Sequence, residues 1–98
     1  MQTLNAKQKR FLRGKAHSFK PVVTVGSAGL TESVIAEFEQ SIEHHELIKV
    51  KINAADRQER KTIIEKMSTT TNSHLIFSIG HTAIFYRPAK QPSINLPH

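Results

Sequence analysis

The sequence predicts an α/β domain: two layers, element order α-β-α-β-α-β-β, with a four-stranded mixed sheet. Three observations lead there. Apolar residues recur at helical spacing in three segments. Four short runs are rich in β-branched and aromatic residues. Glycine, proline and capping residues stand between these segments. A chain of 98 residues holds one such domain and not two.

The first helix should run from about Asn5 to His17. Leu4, Phe11 and Leu12 share one arc at 100° per residue, with Lys9, Arg10 and Arg13 across from it. Lys15 falls beside the arc, where its stem can pack while its ammonium stays wet. Pro21 blocks a longer helix and opens a strand, Pro21-Val22-Val23-Thr24-Val25. A tight loop, Gly26-Ser27-Ala28-Gly29, follows. Thr31 then caps a second helix reaching about His45, with Leu30 and Ile35 placed as a hydrophobic staple. Val34, Ile35, Phe38 and Ile42 form its buried stripe, and Glu32, Glu39 and Glu43 an opposite ridge.

Leu47-Ile48-Lys49-Val50-Lys51-Ile52 alternates as a strand with one wet face. Asp56 and Glu59 are spaced as a capping box for a third helix. That helix turns Ile63, Ile64 and Met67 inward and leaves Arg57, Arg60, Lys61 and Lys66 exposed. It should end in the poor helix formers between Ser68 and Asn72. Two strands close the domain, Leu75 to Ile79 and Thr82 to Tyr86, joined as a hairpin at Gly80-His81. Helical crossovers favour parallel pairing of the first three strands, and the hairpin makes the last one antiparallel. The domain should occupy residues 1–88, and residues 89–98, with Pro92 and Pro97, should form an extended or loose tail.

Composition narrows function. Without cysteine there is no disulfide scaffold, cysteine zinc site or thiol nucleophile. No apolar run approaches the roughly 18 residues of a membrane span, and the first residues lack the apolar stretch of a signal peptide. The expected setting is the cytoplasm. Net charge is +6, arranged in blocks: six basic residues and no acid in residues 1–31, five glutamates and no Lys or Arg in 32–46, and a basic excess after that. A small domain so charged favours a polyanionic partner.

The strand, the Gly26-Ser27-Ala28-Gly29 loop and the helix N-terminus after it make a candidate phosphate cradle. Glycines allow positive φ and close backbone approach, and helix-terminal N–H groups attract anions. A turn needing glycine only for its geometry would read the same. Lys20 before the strand and Lys7, Lys9, Arg10 and Arg13 on the first helix supply cations to neutralise phosphates. Tyr86 and Arg87 offer planes for stacking on an unpaired base, or a core tyrosine at the strand's end. The six histidines fit no metal-ligand spacing, and no nucleophile, base and orienter converge, so no metal, cofactor or catalysis is expected. Two alternatives stay open: an adaptor using the acidic second helix, and a DNA-binding chromosomal protein.

Several blocks carry a resemblance. They are residues 7–17, Lys20-Pro21-Val22-Val23, Val25-Gly26-Ser27-Ala28-Gly29-Leu30-Thr31, His44-His45-Glu46-Leu47-Ile48-Lys49-Val50-Lys51 and residues 79–88. In order and spacing they resemble the CRM domain, named for chloroplast RNA splicing and ribosome maturation, and most closely its stand-alone bacterial YhbY-like members. The resemblance implies a fold like the C-terminal domain of translation initiation factor three. It implies RNA binding in precursors of the large ribosomal subunit, through the GxxG loop and the adjacent basic surface. The loop departs from many relatives in holding Ser27-Ala28 where they have a basic or polar pair. It therefore offers backbone N–H groups and the Ser27 hydroxyl without a side-chain cation. A monomer suffices for this reading.

Overall fold

Three side-chain caps set where the helices begin. The computed structural model describes residues 3–98. Asn5 accepts from the Gln8 N–H and the Gln8 amide accepts from the Asn5 N–H, a reciprocal box opening α1 (Ala6–Ala16). Thr31 accepts from the Val34 N–H at 3.2 Å and opens α2 (Glu32–His45), after β1 (Val23–Val25). β2 (Leu47–Ile52) follows. Asp56 then accepts from the Glu59 N–H and opens α3 (Arg57–Thr71), while Glu59 Oε2 accepts from Ala55, one residue before the cap. β3 (His74–Ile79) and β4 (Thr82–Tyr86) complete the element order that the sequence predicts.

α3 runs past its expected end through Ser68-Thr69-Thr70-Thr71. The hydroxyls there serve the helix instead of competing with it. Thr71 Oγ1 donates to the Met67 carbonyl at 2.7 Å, the Ser68 hydroxyl donates to the Ser73 carbonyl, and Asn72 closes the end at φ 52°.

The sheet is mixed, in the order β1-β2-β4-β3. β1 pairs parallel with β2, matching Val25 to Ile52, and β4 pairs antiparallel with both β2 and β3. The expected parallel pairing therefore holds for the first two strands only, because β4 lies between β2 and β3. Burial gives the reason. Ala83, Ile84, Phe85 and Tyr86 are all buried, so β4 is apolar on both faces and belongs inside the sheet. β3 leaves Ile79 65% exposed and takes the edge.

Both faces of that sheet are covered. Phe38 and Ile42 of α2 and Ile64 and Met67 of α3 bury the face carrying Val23, Val25, Val50 and Phe85. Leu4, Leu12 and Ala16 bury Leu47, Ile84 and Tyr86 on the other. The sheet and the α2–α3 layer are the two layers expected, and α1 adds a partial third. α1 makes its contact through Leu12 and Ala16, one turn apart, which leaves Phe11 off the buried arc and 40% exposed.

The segment after β4 has no helix or strand and is docked against the domain. Glu46 ends α2 at φ 66° with its carboxylate 1% exposed as a residue. Its oxygens accept from the Ala89 N–H, the Ser93 N–H and hydroxyl and the Ile94 N–H, at 2.5 to 3.2 Å. Ile94 and Leu96 then pack against the α1-side core, and the Gln8 amide donates to the Pro97 carbonyl. Burial pushes the Glu46 carboxyl up, but these four donors outweigh it and hold the pKa below its ordinary value.

Candidate nucleic-acid interface

The glycine loop is a closed turn. The Gly29 N–H donates to the Gly26 carbonyl at 3.0 Å, and the Thr31 N–H to the Gly29 carbonyl at 3.1 Å. Gly29 sits at φ +76°, which is costly for most L-residues. Gly26 has no positive φ, and a Cβ there meets no heavy atom within 4 Å. The fold itself makes no demand for glycine at 26, and the bare backbone is open to an approaching strand. Ser27 and Ala28 are exposed at the tip. Helix geometry leaves the amides of Glu32 and Ser33 without an intrahelical partner beside them.

The loop shares one end of the sheet with two other connections. The Asn53 N–H donates to the Val25 carbonyl and the Ile52 N–H to the His81 carbonyl. Residues 26–29, residues 53–55 and the Gly80-His81 turn therefore lie side by side. α3 starts there, with Arg57, Arg60 and Lys61 in its first turns. They line a groove with Leu75, Ile79 and Gly80, in which Glu65 is the one acid. In the sequence these cations read only as an exposed helix face, since nothing local says which loop they stand beside.

The remaining candidates separate. Lys20 is exposed before the start of β1, so the strand stands between it and the loop. Six extended residues put about 20 Å between them. Lys9, Arg10 and Arg13 lie along the flank of α1 that meets β3, lining a groove with Ile76 and Phe77. The Arg13 guanidinium lies 3.6 Å from the centre of the Phe77 ring. β3 is three strand spacings from β1, about 14 Å. Lys7 is exposed but does not line that groove. The edge strand β3 thus carries cations on both sides, from α1 and from α3.

Tyr86 and Arg87 leave the candidate surface. Tyr86 is 2% exposed, packed in the α1-side core with its ring centre 6.4 Å from that of His74. Burial, and then the Glu46 charge, raise its hydroxyl above the ordinary pKa. Arg87 is committed within the fold. It pairs with Glu39 of α2 at 2.9 Å and donates to the Thr71 carbonyl at the end of α3 at 2.7 Å. A cation at a helix C-terminus also opposes the helix dipole. Their position at the end of a β-strand suggested display, but inner strand β4 buries one and clamps the other.

Of fourteen Lys and Arg residues, Arg87 alone holds an ion pair among the described residues. Among those residues no group of three or more His, Cys, Asp or Glu is placed to hold a metal ion. Among the described residues, no helix is long and apolar enough to cross a membrane.

These features define a small basic α/β domain with a glycine turn at a helix N-terminus and, around one sheet edge, cations that form no ion pair among the described residues. The chain belongs to the CRS1 / YhbY (CRM) domain family, whose model matches residues 4–87. It is 47% identical over 97 residues to a Haemophilus influenzae protein named RNA-binding protein, covering 99% of this chain and 98% of that one. It is 35% identical over 95 residues to the Bacillus subtilis protein YqeI, named a probable RNA-binding protein, covering 96% and 99% respectively. The solution structure of a hypothetical Staphylococcus aureus protein, described as a candidate RNA-binding protein, superposes with a TM-score of 0.84 at 35% identity. That match covers 97% of this chain and all of the other.

Proposed function

We propose that this chain is a non-enzymatic RNA-binding protein that associates with rRNA in precursors of the large ribosomal subunit, in the cytoplasm, and assists their assembly. The observation that carries RNA binding is the excess of free positive charge: cations that form no ion pair among the described residues flank β3 and adjoin the glycine loop, with Glu65 the one acid in the two grooves they line. Among the described residues, no ion pair has to be broken before those cations meet phosphate. Each phosphate neutralised releases counterions, so affinity should fall steeply with salt. The glycine turn and the start of α2 supply N–H groups to fix the backbone in register. Relatives named as RNA-binding proteins support the same partner, and the family resemblance supports the ribosomal setting.

Sucrose-gradient sedimentation of lysate at low and moderate salt, with the protein followed by immunoblot, tests this. Co-migration with particles near the large subunit, lost as salt rises, is expected. Protein found only at the top of the gradient at both salts would sink the ribosomal reading. Salt-insensitive binding to a basic protein would instead favour an adaptor working through α2.

A further inference from the structure

We propose that the segment between α1 and β1 forms, with the start of β2, a pocket for one unpaired RNA base, with Phe19 as its stacking platform. The proposal rests on the RNA-binding reading above and adds what part of the RNA is taken, and where. Three hydrogen bonds hold the segment in place. The Phe19 N–H donates to the Ala16 carbonyl at 3.0 Å, the Val22 N–H to the Lys49 carbonyl at 2.9 Å, and Lys49 Nζ to the His17 carbonyl at 3.2 Å. A cavity lies against them, lined by the apolar Phe19, Val22 and Leu47 and by Lys20, His45 and Lys49. No carboxylate lines it.

Phe19 is 37% exposed and Val22 45%, so apolar surface is left open beside two lysines. The core gains little from an aromatic ring at that place. A nucleotide matches both halves of the site: its base offers a flat face to the ring, and its phosphate offers an anion to Lys20 and Lys49. A wholly apolar guest would leave the lysines unused. The pocket lies at the end of β1 away from the glycine loop, so one RNA can have its backbone held at the loop and a base held about 20 Å away.

The test compares two RNA duplexes alike except for one bulged 5-iodouridine, titrated with the full chain by fluorescence anisotropy. Wild type should bind the bulged RNA about fivefold more tightly. Phe19→Ala should lose that preference and keep its affinity for the plain duplex. Phe19→Trp should retain the preference, and irradiation should cross-link the bulge to Phe19. If wild type binds both RNAs equally, or Phe19→Ala keeps the preference with the cross-link elsewhere, the pocket is overturned and RNA binding stands. If folded wild type binds neither RNA, the RNA-binding reading itself fails and the pocket with it.

Discussion

Replacing Gly29 by Asn and by Asp separates backbone geometry from charge at the glycine loop. The two side chains are nearly the same shape, and both tolerate the left-handed region better than other L-residues. A Cβ at position 29 meets no heavy atom within 4 Å, so the cost in the free protein comes from φ +76° alone. That is about 1 kcal/mol for either variant. Both should melt about 4–8 °C below wild type, and by the same amount. Binding should split them. A carboxylate about 5 Å from a phosphate, in a dielectric between about 40 and 80, is repelled by about 0.8–1.7 kcal/mol. Gly29→Asp should therefore bind a structured RNA about 4- to 17-fold more weakly than Gly29→Asn. The gap should narrow as salt is raised. Thermal melts by circular dichroism and RNA titrations by anisotropy at two salt concentrations give both numbers. Equal affinities for the two folded variants would refute the loop as a phosphate contact.

Glu46→Gln should destabilise the fold by about 2 kcal/mol, because the amide nitrogen meets a donor and the other bonds lose their charge assistance. The native carboxyl pKa is depressed. Its stabilisation is therefore complete above the ordinary carboxylate range and is lost as pH falls through the folded value. The difference in Tm between wild type and Glu46→Gln should shrink on acidification below about pH 4; a constant difference would contradict the tail's anchoring by that charge. Arg87→Met removes the tie between Glu39 and Thr71 and should lower stability by about 1–3 kcal/mol. RNA affinity measured below its melting temperature should stay within about twofold, since Arg87 pairs within the fold. Changing Lys9, Arg10 and Arg13 together to Gln should flatten the salt dependence of RNA binding by a log–log slope of about 2 to 3; an unchanged slope would remove the α1 flank from the interface.

Much of this fold is written locally. Asn5, Thr31 and Asp56 announce the helix starts because a cap needs only the next three residues. β2 and β4 are legible because apolar alternation and a two-residue Gly80-His81 turn act over a few positions. The glycine loop and its place before α2 are equally local. The excess of positive charge is a sum over the chain and needs no fold at all.

Other features arise from residues far apart in sequence. β4 enters between β2 and β3 because an inner position buries both of its faces, and no local pattern states which neighbour it takes. That choice buries Tyr86 and gives Arg87 to Glu39 and Thr71, removing both from the exposed surface proposed to meet RNA. Glu46 reads as one more acid after an acidic helix, yet its positive φ turns it into the anchor for residues 89–94. Lys20 is six positions from Gly26, and an extended strand converts that closeness into separation. Arg57 is about thirty positions from the loop, and hydrogen bonds across the sheet's end bring its helix start beside it. Local chemistry sets which segments become helix or strand; shared burial across the sheet determines which side chains are left to meet a partner.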